Sequence, residues 1–390
     1  MSEPSVVPAE PVEASPEVLR EELRAFLRGH HPGPPPRDPD ERLRFARDWA
    51  ALLADAGWAA PSWPREWGGM ELPVPHQLVY HEEMSAARVP AHPSPNSFIV
   101  GAAILRHGSV EQKRRFLRPM VRAEELWCQG FSEPGAGSDL AALRTRAVLD
   151  GDAYVVTGQK VWTSRATRSD WMFTLVRTGA GDSGHDGISY LLVDLHSPGV
   201  TVRPLRDMSG RSEFAEVFLD AVRVPVAHRV GEENAGWAVA RTSLGHERST
   251  SRTAHASRYR RVVDDLVALA RTTGLTRDPR VRQELARAEI EVRLLALTFG
   301  RVAAAVARGG EPGPASSVSR LFLAGFEQRV HELAVRLTGT HALLGESDPH
   351  AVEGGRWTWG LLRTRASTIG AGTAEIQRTT IAEQILGLPR

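Results

Sequence analysis

Hydrophobic spacing changes twice along this chain of 390 residues, and those two changes restrict its fold more than any single motif. From residue 16 to about 125 the period is helical. Leu19, Leu23, Phe26 and Leu27 form one apolar stripe, and Phe45, Trp49, Leu52 and Leu53 form another behind the charged start DPDER. Further helices are predicted over 76–87, 97–107 and 110–122, with the Pro/Gly/Trp-rich stretch APSWPREWGGMELP (60–73) as an ordered loop between helices. Between about 126 and 235 the runs AYVVTGQKVWTS, WMFTLVRTG, GISYLLVDL, GVTVRPLR and EVFLDAVRVP are short, β-branched and aromatic, and separated by Gly, Asp, Ser and Pro. They predict an antiparallel sheet or small barrel. After GEENAGW (231–237) the helical period returns and lasts to the end, with Leu285, Ala288, Val292, Leu295 and Phe299 on one seam. Breaks at TTGLTRDP, GGEPGP and LLGESDPHAVEGG divide that region into four or five long helices.

The pattern is α+β and multidomain, in four pieces: a tail over 1–15, a helical domain over 16–125, a β domain over 126–235 and a helical bundle over 236–390. Strands do not alternate with helices and GxGxxG is absent, which disfavours a dinucleotide-binding Rossmann unit. The tail MSEPSVVPAEPVEASPE has no basic stretch followed by an apolar core, so it reads as a disordered segment and not as a secretory signal. No apolar run approaches the roughly 20 residues of a membrane span. Lys and Arg total 48 against 47 acids, a net charge of +1, which favours a small-molecule partner over nucleic acid. A single cysteine, Cys128, leaves no intrachain disulfide, argues against a Cys-based metal site and fits a reducing cytoplasm.

Three stretches carry residues suited to chemistry. WCQGFSEPGAGSDLAALRTRA (127–147) runs through a glycine corner into Ser138 and Asp139, which can cap a helix beginning there; open amides at such a corner suit a pyrophosphate, although similar corners also serve as ordinary connections. GQKVWTSRA (158–166) is a hairpin whose far strand exposes Trp162 and Ser164, and the bland alternative is a core tryptophan with a strand-end hydroxyl. IGAGTAEIQR (369–378) is a Gly-rich corner leading into an amphipathic helix.

Taken in order, FSEPGAGSD, GQKVWTS, VRVP with GEENAGW, and GAGTAEIQR resemble the acyl-CoA dehydrogenase family over about residues 16 to 390. The resemblance implies a helical N-terminal domain, a middle antiparallel β-barrel and a C-terminal helical bundle. It also implies FAD and removal of two hydrogens across the α and β carbons of an acyl-CoA or carrier-bound thioester. By that likeness Phe131 and Ser132 lie along the flavin ring, Ser138 faces the pyrophosphate, Trp162 flanks the isoalloxazine and Ser164 bonds near the hydride-accepting nitrogen. Thr373 and Glu375 resemble the pair that touches FAD, while the backbone at Ala371 approaches the thioester carbonyl.

In many family members the residue before this Gly-Thr is the catalytic glutamate, whereas here it is Ala371. A methyl group accepts no proton, yet the backbone amide that polarises the carbonyl is retained. Some relatives mount the glutamate on an early helix of the C-terminal domain, and Glu247 in TSLGHERSTS (242–251) matches that position. His246 is the alternative proton acceptor, and Arg248 resembles an arginine that orients the active-site helix. The family's Arg-x-x-Phe-Gly stretch, which reaches a neighbouring subunit's FAD, is missing from RTTGLTRDPRVRQELA. Arg280 or Arg282 could supply its charge, and Arg336 and Thr340 stand where relatives place a glutamine and a glycine. The expected partners are an electron-transfer flavoprotein or other acceptor, and further copies in a homotetramer or homodimer, or a sister chain in a heteromer. A non-catalytic partner subunit and a flavin monooxygenase are the rival functions on the same scaffold.

Overall fold

The computed structural model describes residues 15–36, 38–179, 184–247, 253–308, 313–346 and 348–389. The chain opens with α1 (Pro16–His30), α2 (Pro39–Asp55), α3 (Val74–Ala86), α4 (Asn96–His107) and α5 (Val110–Val121). Local chemistry fixes their starts: Ser15 Oγ accepts from the Val18 amide, Asp38 accepts from the Asp40 and Glu41 amides, and Ser109 with Gln112 forms a reciprocal capping box. Leu19, Leu23 and Leu27 are buried as their spacing predicts, as are Trp49 and Leu53, while Leu52 points outward. The 60–73 loop is ordered around Trp63, whose ring lies so close to α4 that a Cβ on Gly101 would fall 2.1 Å from it.

The middle domain is an eight-stranded sheet, β1 (Trp127–Gly130), β2 (Arg146–Asp150), β3 (Ala153–Ser164), β4 (Trp171–Arg177), β5 (Ile188–Asp194), β6 (Val200–Leu205), β7 (Phe214–Pro225) and β8 (Arg229–Val230). The strand path is β6-β7-β3-β2-β4-β5-β8, with β1 beside β4. The expectation of a wholly antiparallel arrangement needs correcting, because β1 and β2 both run parallel to β4. Long connections permit this, and residues 131–170 return the chain to the same edge before β4 begins.

The last domain contains α6 (Gly236–Glu247), α7 (Thr253–Thr272), α8 (Pro279–Ala307), α9 (Ala315–Thr338), α10 (Arg356–Arg363) and α11 (Ala374–Gln384). The long helices number three rather than four or five, at 20, 29 and 24 residues. Left-handed residues Glu353, Gly354 and Gly355, then Ala371 and Gly372, cut the remainder into shorter pieces. The predicted α8 seam holds: Ala288, Val292, Leu295 and Phe299 are buried against Val263, Leu266, Phe326 and Val330. Among the described residues no helix is long and apolar enough to cross a membrane, and no cluster of three or more His, Cys, Asp or Glu could hold a metal ion.

Candidate active site

Strict alternation along β3 would send Lys160 and Trp162 to one face, but the strand breaks that rule. Lys160 pairs with Val217 and Thr163 with Ala215, so Val161 and Trp162 together face a single residue. This β-bulge keeps Lys160 and Thr163 fully buried and turns the Trp162 indole outward, 60% exposed. Trp162 adopts a left-handed backbone at φ 58°, which costs a bulky residue roughly 1–2 kcal/mol. Strain joined to an exposed aromatic marks a ring held ready for a partner. Phe214 supports that ring edge-on at 5.9 Å. Ser164 ends the strand, half-buried opposite Phe214, and the left-handed Arg165 that follows donates its amide to the Glu213 carbonyl at 2.8 Å.

The second wall is the segment after β1. Phe131 is buried, edge-on to Phe173 and Tyr190 at 5.6 and 6.0 Å. The Ser132 carbonyl accepts from the Val161 amide at 2.9 Å. Glu133 is buried and its carboxylate accepts from the Arg144 and Thr145 amides and, at 2.7 Å, from Lys160 Nζ. Lys160 also donates to the Leu175 carbonyl at 2.7 Å and the Phe131 carbonyl at 3.4 Å. Burial pulls the Lys160 ammonium down to about 8 against the attraction of Glu133. Burial pushes the Glu133 carboxyl the other way, but the Lys160 charge and these hydrogen bonds outweigh it and leave it below the usual range. Gly135, Gly137 and Ser138 stand at the exposed tip, and a cleft of 320 Å³ opens beside it between Glu133, Gly135, Arg144 and Gln159. The expectation that Ser138 and Asp139 cap a helix is corrected: a single 3-10 turn, Leu140–Ala142, comes next with no side-chain cap, and the chain then enters β2.

Helix α6 docks on β5 through Ser243, whose buried hydroxyl lies 3.1 Å from the Tyr190 hydroxyl. Position 247, one turn past Ser243, is the last residue of α6. The side chains of His246 and Glu247, and the whole of Arg248, lie outside the described residues.

The 369–378 corner is built by backbone. Ala371 has φ 55° and Gly372 φ 88°. A Cβ on Gly372 would lie 2.5 Å from Gln377 Nε2, which donates to the Gly372 carbonyl at 3.3 Å. Arg320 donates to the Gly370 carbonyl at 2.6 Å, and Thr373 caps α11 by accepting from the Ile376 amide. The Ala371 and Gly372 amides have no acceptor among the described residues, so the corner offers donors and no acid. Glu375 is exposed in the first turn of α11, paired with Arg378 at 3.2 Å.

Arg280, Arg336 and Thr340 do not join this group. Arg336 pairs with Glu284, which brings the end of α9 beside the start of α8, and all three side chains are exposed there. Arg320 and Arg336 are separated by about 24 Å of helix at 1.5 Å per residue.

Comparison with known proteins decides the family. The acyl-CoA dehydrogenase N-terminal, middle and C-terminal domain models match residues 14–124, 128–222 and 234–386. The chain belongs to the acyl-CoA dehydrogenase family. It is therefore a flavin oxidoreductase by family, and it is 41% identical over 356 residues to acyl-CoA dehydrogenase IpdE1 of Mycobacterium tuberculosis, spanning 90% of each protein. It superposes on the Tcur3481-Tcur3483 steroid acyl-CoA dehydrogenase with TM-score 0.82 at 30% identity, covering 98% of this chain and 99% of that one. The ChsE4-ChsE5 complex of M. tuberculosis gives TM-score 0.81 at 32% identity, covering 98% and 100%.

The residues present suit the family's FAD. The strained, exposed Trp162, the open space over Gly135 and Gly137, and the free amides at Ala371 and Gly372 are features of a surface that receives a planar, anionic ligand. Sequence spacing does not single out Tyr190 and Ser243, nor Lys160 and Glu133. The second pair lies inside the motifs FSEPGAGSD and GQKVWTS, and a lysine in a run as apolar as AYVVTGQKVW is the available signal.

Proposed function

We propose that the chain is an FAD-dependent acyl-CoA dehydrogenase in which Glu247 removes the α-proton of an acyl thioester. The observation that carries this reading is the corner at Ala371: it keeps amide donors for a thioester carbonyl and has no carboxylate, so the base must come from another element. Position 247 closes the helix that Ser243 anchors to Tyr190, and the Tyr190 ring in turn borders Phe131. Bound FAD supplies the hydride acceptor. Glu247 takes the α-proton, the electron pair left behind forms the new double bond, and the β-hydrogen leaves with its own pair. The amide of Ala371 steadies the negative charge on the carbonyl oxygen. Arg248 orients the carboxylate. Phe131, Ser132, Trp162 and Ser164 hold the ring system, while Ser138, Thr373 and Glu375 hold the remainder.

The far-end residues Arg280, Arg336 and Thr340 serve the FAD of a neighbouring subunit. Their separation from the corner along α9 supports this, as does the two-chain composition in the names of both solved relatives. The assembly is a homotetramer, a homodimer or a heteromer with a sister chain. The relative called a steroid acyl-CoA dehydrogenase favours a bulky, ring-bearing acyl group, with an electron-transfer flavoprotein as acceptor in a cytoplasmic setting. The domains are taken as 16–125, 126–235 and 236–390. A test uses the purified chain loaded with FAD: bleaching of the flavin by ring-bearing acyl-CoA thioesters supports the reading. Bleaching only after a sister chain is added favours a partner subunit.

A further inference from the structure

We propose that Lys160 and Glu133 form a positioning device, one that sets the spacing between the Phe131–Ser132 wall and the Trp162–Ser164 wall of the site. This rests on the reading that those walls receive FAD. Neither residue presents its charge to the cleft between the walls, so each acts through others.

Lys160 is fully buried on β3 and its Nζ has three acceptors on two other segments: Glu133 Oε1, the Phe131 carbonyl and the Leu175 carbonyl. Leu175 lies on β4, which shares no ladder with β3, so the ammonium crosses the interior of the domain and ties together strands that the sheet does not join. The neighbouring Val161 amide holds the Ser132 carbonyl, so consecutive residues of β3 grip the whole 131–133 segment. The very next residue is the bulged Trp162. Glu133 passes the constraint on, because its carboxylate also takes the amides of Arg144 and Thr145 at the start of β2.

A buried ion pair is seldom retained for stability, since packed apolar side chains usually serve as well. What a fully satisfied network supplies is a single geometry, and here every ammonium proton is committed and the carboxylate accepts from three donors. An apolar pair would let the 131–133 segment slide against β3, and the two walls would lose their register.

The experiment compares the FAD-loaded full chain with Lys160→Met, Glu133→Gln and the double variant, measuring thermal unfolding, FAD dissociation constant and the visible circular dichroism of bound flavin. Single variants leave one buried charge unpaired and are expected to unfold at lower temperature; the double variant restores neutrality and is expected to recover most of that loss. The inference predicts that the double variant still binds FAD at least tenfold more weakly, with an altered flavin dichroism. Recovery of FAD affinity and dichroism along with stability would overturn it and leave the pair structural. Failure of the unaltered chain to bind FAD would instead overturn the functional reading beneath it.

Discussion

Tyr190 on β5 and Ser243 on α6 meet hydroxyl to hydroxyl at 3.1 Å in a buried contact that fixes α6 to the sheet one turn before position 247. Burial pushes the Tyr190 phenol well above its ordinary range, so the contact stays uncharged at working pH. Ser243→Ala should cost about 1 kcal/mol of stability, the usual worth of a buried neutral hydrogen bond. It should lower the rate of flavin reduction more than it changes FAD affinity. Chemical denaturation and rapid-mixing kinetics on the same preparation check both.

Trp162 gives a prediction of opposite sign for stability and binding. Asparagine tolerates a left-handed backbone far better than tryptophan, and the indole is already largely exposed. Trp162→Asn should leave the melting temperature unchanged or raised and weaken FAD binding about tenfold, seen by calorimetry and by titration of the apoprotein. A fall in melting temperature with unchanged affinity would make the ring a packing element.

The Ala371 corner can be asked to take back an acid. Ala371 is exposed, so a longer side chain meets no packed neighbour. In a Glu247→Gln background, Ala371→Glu should restore part of the flavin bleaching, because the carboxylate then springs from the corner that offers the carbonyl donors. Gly372→Ala is the contrast: its φ of 88° and the nearby Gln377 amide predict a loss of about 1 kcal/mol and a raised KM.

A pH prediction concerns the N-terminal domain. Glu83 is 5% exposed and accepts from Arg20 and, at 2.7 and 3.0 Å, from Arg24. Burial raises its carboxyl, but these arginine contacts outweigh it and hold it below the usual range. A carboxyl depressed by folding contributes stability above its unfolded value near 4.5, and that contribution is lost as pH falls through the lower folded value. Glu83→Gln should therefore cost about 2 kcal/mol at pH 7 and close to nothing once the wild-type carboxyl is protonated, read from denaturation midpoints across that interval.

Much of this architecture can be read from spacing. The stripe at Leu19, Leu23 and Leu27 and the α8 seam are periodic because each buries one helix face, and β3 is bounded by Gly and Asp before Ala153 and by Arg165 after Ser164. The parallel placement of β1 and β2 beside β4 was not legible, since strand direction depends on where residues 131–170 carry the chain and not on side-chain alternation. The empty position at Ala371 was plain in the sequence, whereas the left-handed bulge at Trp162 arises from register with β7 and has no local signature. Lys160 with Glu133, and Tyr190 with Ser243, join residues 27 and 53 positions apart, and only the folded chain brings such pairs together.

The most direct test of the account is the rate at which an acyl-CoA substrate reduces bound flavin in Glu247→Gln beside the unaltered protein. The account predicts a variant that binds FAD within about twofold of wild type yet is reduced at least a hundredfold more slowly, the range expected for loss of a general base. Reduction at the wild-type rate would contradict it and remove Glu247 from the chemistry.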